Sequence, residues 1–557
     1  MLRLVAMWFV VASLYALQGT CQITQVPLAP QTGPIDHNNT LLNWRLDEPP
    51  NVNSTGHLVF ETVNSLLQHW PNTRMRTGHN IVPGIVPSGT LLYRGTWNQE
   101  LPAVPGWTAM DPEHSLHFCR NAEGEIGCWH LTLITTQPLK VLYFDGSSAA
   151  KTFGTMDAQD LVAWGKIRPE WAFNEPRRIK DLCTWGKEYG IDGFVRMEMA
   201  FEIMLCSFTS GVSVVSFLNL AEPRHHAIFK SSCMFEAMNA GSWHNRYPGE
   251  TRIRLDVSSL VSFYDTDLVP SLVSARFGQE RWDHRLRNIS KEDITRVTTR
   301  LRETLTRPFR HTSNSIDWMA LIRVIVDRYS ERLEFTQYLI NSTDHTNPKS
   351  LIDHVNKTQT QLRTMLRPYM LSSLAQPSLF KLIAEETRTS ALNWARTVFK
   401  LCTTTHIHGL QDSVMTDSES LLLNAVRETT REICRVVTSM WSSGVLAGLD
   451  ENLGGGDSEM DIEATRVLMK KWKHDLDGLM QWLDWNAWVK CRPACGPEEM
   501  CYLTTWPIGS PIPPLPILPV LLGMPPPPRP PPEMEPADDW ERPQPRCVGR
   551  IEPYLGM

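Results

Sequence analysis

The sequence predicts an α+β protein: a mixed N-terminal domain of strands and short helices, then an all-α helical domain, then a proline-rich tail. Three observations carry this. Short runs rich in Val, Ile, Leu, Phe and Tyr, bounded by Gly, Pro or Asp, recur between residues 60 and 265. Beyond residue 290, apolar residues fall at helical spacing over long stretches. From 507 to 545 proline dominates, including PPPPRPPP at 525–532, which favours polyproline II over packed structure.

The elements follow in order. Residues 1–21 read as a signal peptide: one early charge at Arg3, an apolar run over 4–17, then small residues Gly19 and Cys21 before the expected cut. An uncleaved anchor is the other reading of the same stretch. Residues 22–58 are a polar, extended leader. The α+β domain spans 59–285, with strands expected at 90–94, 129–135, 140–144, 193–208 and 212–220, and helices at 157–164 and 177–188. The helical domain spans 286–490. Ser290-Lys291-Glu292-Asp293 resembles a capping box and opens a stripe of Ile294, Val297, Leu301 and Leu305. Ile322, Val326, Tyr329 and Leu333 form a second stripe. Thr416 and Glu419 form a full capping box ahead of Leu422, Val426, Ile433 and Met440. A last helix is expected over 460–488. Residues 491–557 form a Cys-containing, proline-rich tail. Its apolar run at 515–522 is too short to cross a membrane.

A net charge of −6 over 557 residues gives no reason to expect nucleic acid or an anionic membrane surface as partner. The 20 Trp read as core packing rather than a carbohydrate platform. The signal stretch implies an oxidising, glycosylating compartment, so the protein is expected to be secreted, extracellular or in the cell wall. Five N-x-Ser/Thr sequons, at Asn38, Asn53, Asn288, Asn341 and Asn356, fit that route. Most cysteines should then pair. Cys119 and Cys128 are placed to staple a hairpin, and Cys491, Cys495 and Cys501 in CRPACGPEEMC read as a disulfide knot rather than a zinc site.

Chemistry-bearing residues concentrate in three segments of the α+β region. GTLLYRG places Arg94 on a short strand. PGWTAMDPEHSLHF offers the hydroxyls of Thr108 and Ser115. YGIDGFVRMEMAFEIMLC, if extended throughout, points Arg196, Glu198 and Glu202 to one side. A buried carboxylate must be paired or have a task. Asp145, in the turn after VLYF, reads as structural, with approach to a ligand at the strand end as the other reading. His225, His226, His244 and the His406-Ile407-His408 pair, whose rings would share one face on a strand, offer imidazoles, but no HExxH is present and no metal is expected. GxSxG, GxGxxG and P-loop signatures are also missing from the sequence.

The order of the three segments, over residues 88–210, resembles the mono-ADP-ribosyltransferase superfamily. The resemblance implies NAD as substrate and an unknown acceptor protein as partner. Arg94 would grip the pyrophosphate through its fork of donors, and Thr108 would support the nicotinamide ribose. Glu202, or else Glu198, would bind the ribose hydroxyl and stabilise the oxocarbenium-like transition state. The chain departs from the family pattern at Trp107-Thr108-Ala109, where a Ser-Thr-Ser element is usual, and in the four-residue spacing of its glutamates. That spacing suits NAD cleavage, an NAD glycohydrolase reaction, better than transfer to a target. The strings VLYFDGSSAA, YPGETRIRLDVSSLVSFYDTDLVPSL and DWNAWVKCRPACGPEEMCYL also resemble a group of secreted, uncharacterised fungal proteins, a likeness that implies no activity. Two functions stand side by side: an ADP-ribosyltransferase-like or NAD-cleaving domain, and a non-catalytic extracellular or cell-wall interaction protein whose proline-rich tail binds a protein.

Overall fold

The computed structural model describes residues 25–29, 44–116, 118, 128–152, 154–220, 237–307, 316–371, 393–410, 414–449, 461–503 and 542–550. The signal stretch, most of the proline-rich tail, Asn38, Cys119, His225, His226 and Cys233 lie outside these.

One large mixed sheet organises the N-terminal half. Its strands are β1 (Asn80–Val86), β2 (Leu91–Thr96), β3 (Gly106–Ala109), β4 (Cys128–Thr135), β5 (Leu139–Phe144), β6 (Gly193–Met197), β7 (Phe201–Leu205), β8 (Val212–Leu220), and the two-residue β9 (Arg254–Leu255) and β10 (Val261–Ser262). The order is β10-β1-β5-β6-β7-β3-β2-β4-β8, with β9 also on β1. Only β5 and β6 run parallel; the other pairs are antiparallel. A parallel pair needs a crossover, and the segment holding helices 157–164 and 175–186 supplies it. At the edge, β8 exposes Val214, Val215 and Leu218, and a register shift opposite Thr132 and Leu133 interrupts its pairing with β4. Such a bulge twists an edge away from stacking on other strands.

Twelve helices are described: α1 (Gly56–Asn64), α2 (His69–Arg74), α3 (Pro112–Leu116), α4 (Asp157–Trp164), α5 (Glu175–Gly186), α6 (Ser271–Ala275), α7 (Lys291–Thr306), α8 (Trp318–Asn341), α9 (Pro348–Leu366), α10 (Arg396–Thr404), α11 (Asp417–Leu446) and α12 (Ile462–Leu483). Two of the caps are those the sequence announces. The Ser290 side chain accepts from the Asp293 amide, and Thr416 and Glu419 close a reciprocal capping box. A second, two-stranded sheet pairs β11 (Glu499–Leu503) with β12 (Pro545–Gly549).

Helices cover both faces of the large sheet. On one face, Leu142, Phe144, Phe194 and Met204 pack with Leu161 of α4, Leu182 of α5, and Val297, Leu301 and Leu305 of α7. On the other, Val195, Ile203 and Leu205 belong to a core shared with α1 and with helices α8 to α12. Sequence position and spatial layer therefore diverge. The expected boundary at 285/286 falls between the large sheet and the long helices along the chain but does not divide two cores: α7 packs on the sheet, and α1 packs on α11. Leu28 and Leu46, inside the expected leader, are buried in the shared core. Trp318, Trp441, Trp472 and Trp485 are fully buried, the packing role expected of tryptophan here.

Two expectations are corrected. Residues 193–208 are not one strand. Glu198, Met199 and Ala200 reverse the chain, and β6 and β7 form a hairpin in which Arg196 lies opposite Glu202. The reversal carries no Gly, Pro, Asn or Asp, so no turn signal marks it. His406 and His408 are not on a strand either. They follow α10 directly, His408 opening a short 3-10 turn, so alternation does not bring their rings to one face.

Four disulfides join described residues: Cys183–Cys206, Cys402–Cys434, Cys491–Cys501 and Cys495–Cys547. Cys128 is disulfide-bonded too. The first ties α5 to the end of β7, and the second ties α10 to α11. No helix among the described residues is long and apolar enough to cross a membrane.

Helix α11 is the longest of the twelve and packs against α1, α9, α10 and α12, so its cap bears on the whole shared core. Thr416→Ala is expected to lower unfolding stability by about 1 kcal/mol, measured as a shift of the urea midpoint with unchanged slope.

Candidate functional site

The residues singled out from the sequence lie around β2, β3, β6 and β7, and pairing geometry decides which of them meet. Tyr93 lies opposite Ala109, and Ala109 opposite Glu202, so these three share one face of the sheet. Arg94 and Thr108 are their chain neighbours and point to the other face, with Ile203 opposite Thr108. Arg94 and Glu202 are therefore separated by the sheet itself.

Each side chain is occupied locally. The Arg94 Nη1 donates to the Trp107 carbonyl at 2.6 Å, and its guanidinium lies 5.3 Å from the Trp107 ring and 5.5 Å from the Phe208 ring. Burial lowers its pKa from the ordinary guanidinium value. Thr108 is fully buried and gives its hydroxyl hydrogen to the Ile203 carbonyl at 3.0 Å. Glu202 accepts from Arg196 Nε at 2.9 Å, and Arg196 Nη2 also reaches Glu175 at the start of α5 at 2.7 Å. Burial works against the Arg196 charge, but the carboxylates of Glu175 and Glu202 outweigh it and raise the pKa above the usual value. This is a buried ion triad that closes the hairpin onto α5.

Glu198 sits in the hairpin turn. Its carbonyl accepts from His69 Nε2 at 3.1 Å, and its carboxylate lies 3.9 Å from the Lys151 ammonium. Burial pushes the Glu198 carboxyl up to about 7; Lys151 opposes the rise, and the charge of Glu202 adds to it. Beside it is a group that brings His244 to partners the sequence did not announce. His244 Nε2 donates to Asp111 at 3.2 Å, and Arg252 donates to Asp111 at 2.9 Å and to Glu250. The rings of His69 and His244 are 5.9 Å apart. His114 is buried nearby. Burial lowers His69 to about 3 and His114 to about 4, so both imidazoles are neutral near pH 7. These partners come from 69, 111, 198, 244 and 252, and no spacing in the sequence joins them.

The remaining candidates have structural partners. Ser115 donates to the Pro112 carbonyl at 2.7 Å, with His130 Nε2 2.8 Å from its oxygen. Its hydrogen is thus turned away from the imidazole, the reverse of an activated nucleophile. Asp145 accepts from the amides of His79 and Asn80 and from the Asn80 side chain, each at 2.7 Å. Among the described residues, groups of three side chains close enough to share a metal ion consist of the knot cysteines and Glu499, with no histidine.

Residues 51–130 and 128–232, which include β1 to β8, match the family model described as the YPL277C N-terminal domain. The chain is similar to two proteins of Saccharomyces cerevisiae (strain ATCC 204508 / S288c). It is 23% identical to "Uncharacterized protein YOR389W" over 554 residues, covering 82% of each chain. It is 28% identical to "Uncharacterized protein YPL277C" over 222 residues, 31% of this chain and 45% of that one. The likeness to uncharacterised fungal proteins expected from the sequence is thus found; neither relative's name speaks of ADP-ribosyl transfer.

Glu198 gives the site a pH signature. Its folded pKa of about 7 exceeds the ordinary glutamate value of 4.5. The folded state therefore holds the proton more tightly than the unfolded chain, and stability falls as pH rises from about 4.5 to about 7. Wild type is expected to lose on the order of 2 kcal/mol more than Glu198→Gln across that window, measured by denaturant unfolding at pH 5 and pH 7.5.

Proposed function

We propose that the chain is a secreted, disulfide-bonded interaction protein whose N-terminal sheet is a scaffold rather than an NAD-cleaving site. One observation carries the reading. Arg94 and Glu202 lie on opposite faces of the sheet, and each is already held by protein groups, Arg94 by the Trp107 carbonyl and Glu202 by Arg196. An NAD-cleaving pair would need both side chains free and facing one cleft, with the guanidinium on the pyrophosphate and the carboxylate at the ribose. Breaking the Arg196–Glu202 pair to free the carboxylate would leave a buried guanidinium short of one partner, at a cost of about 3–5 kcal/mol.

The signal-like first 21 residues and the disulfides support export to an oxidising compartment. The proline-rich tail offers preformed polyproline II to a partner groove. The likeness to YOR389W spans most of both chains and so extends beyond the sheet to the helical half, as a function spread over surfaces requires.

The test is NAD turnover by the secreted, oxidised protein beside Arg94→Ala and Glu202→Ala. Nicotinamide release at the buffer rate is expected from all three, with both variants less stable than wild type and Glu202→Ala, which leaves the buried Arg196 short of a partner, the more so. Release by wild type that disappears in both folded variants would overturn the reading and restore an NAD site.

A further inference from the structure

We propose that the four cysteines of the C-terminal knot have a second state, in which reduction of both disulfides makes them a tetrathiolate site for Zn²⁺. Cys501 and Cys547 are direct partners across β11 and β12, yet they are not bonded to each other. Each is bonded instead to a cysteine of the preceding loop, Cys501 to Cys491 and Cys547 to Cys495. This crossed pairing draws the four sulfurs into one cluster. Those of Cys491, Cys495 and Cys501 lie within 4.8 Å of one another, and the fourth is bonded to Cys495.

A Zn–S bond of about 2.3 Å places tetrahedral sulfurs about 3.8 Å apart, so once reduced each bonded pair would open by about 1.8 Å, and unbonded sulfurs now up to 4.8 Å apart would close by about 1 Å or less. The ligand chemistry also fits. Three residues separate Cys491 from Cys495, within the spacing usual for paired zinc cysteines. The Cys491 amide donates to the Cys501 sulfur at 3.0 Å, the kind of hydrogen bond that stabilises thiolate charge. All four cysteines are half-buried, and a groove of about 440 Å³ lined by Asn245, Cys495, Glu499, Cys501 and Arg550 gives reductant and ion a way in.

The change balances with a dithiol as reductant. Each disulfide takes two electrons and two protons and the dithiol becomes a disulfide, so two dithiols yield four thiols. Binding Zn²⁺ then releases four protons as the thiols become thiolates. Disulfides hold the ribbon where thiols are oxidised, and a metal ion would hold the same ribbon where they are reduced. This does not rest on the function proposed above.

The test is anaerobic reduction of the full chain with dithiothreitol, removal of the reductant, and titration with Zn²⁺ or with Co²⁺ as a visible probe. The reduced protein is expected to bind one equivalent and to give the thiolate charge-transfer and tetrahedral bands of cobalt. The oxidised protein is expected to bind none. Cys495→Ser and Cys547→Ser should each lose the stoichiometric uptake. Cys547→His, which keeps a tetrahedral ligand set, should retain it with a shifted cobalt spectrum, separating ligand loss from misfolding. No stoichiometric uptake by the reduced wild type, or uptake unchanged in both serine variants, would overturn the proposal.

Discussion

Asp484 is the point on which the rest of the structure depends. It ends α12 in the left-handed region, with φ of 46°, a conformation that Asp tolerates better than most residues. There its buried carboxylate accepts from Arg281 at 3.1 Å, from Gln25 at 3.0 Å and from Arg74. One anion thus joins the N-terminal segment, α2, the loop after α6 and the last helix of the bundle. Arg74 also lies 4.7 Å from the Trp282 ring. Beside this node, Glu61 of α1 accepts from the Asn486 amide at 2.9 Å, fixing the chain just past α12. Buried charges earn no net stability by being there, but removing one partner of such a set is costly. The segments flanking the sheet are tied to the last helix of the bundle by a polar contact that tolerates no vacancy, beside an apolar core that sheet and bundle share.

The same logic governs the β6–β7 hairpin. Arg196 pairs with both Glu202 and Glu175, Arg178 supplies Glu175 with a second cation, and Asp111 is shared by His244 and Arg252. Charge in this region is committed to closing the fold. Glu198 stands apart, a carboxyl raised by burial with the Lys151 ammonium 3.9 Å away. It sits at the tip of a turn rather than in the triad.

Much of the fold was legible in the sequence where local chemistry decides it. Capping residues Ser290 and Thr416 marked helix starts, and apolar stripes such as Ile322, Val326, Tyr329 and Leu333 marked the buried face of α8. The span of β8, 212–220, matches expectation, and the helix at 157–164 does so as well. What escaped was non-local or unsignalled. The hairpin turn at Glu198-Met199-Ala200 lacks turn residues, so two antiparallel strands read as one. That error put Arg196 and Glu202 in a row along a strand when they face each other across a ladder. Arg94 and Glu202 both looked available because sheet register, which sends them to opposite faces, is not written in either segment alone. His69, His244 and Arg252 reach the site only through tertiary packing, and Leu28 and Leu46 join the core from a stretch whose composition reads as solvated.

Scanning calorimetry on wild type and Asp484→Ala under oxidising conditions tests this account most directly. A shared core clamped by one buried anion requires a single cooperative transition in wild type, with calorimetric and van't Hoff enthalpies equal, shifted as a whole to lower temperature in the variant. Two separate transitions, only one of them moved by Asp484→Ala, would mean that sheet and bundle stand independently and would contradict it.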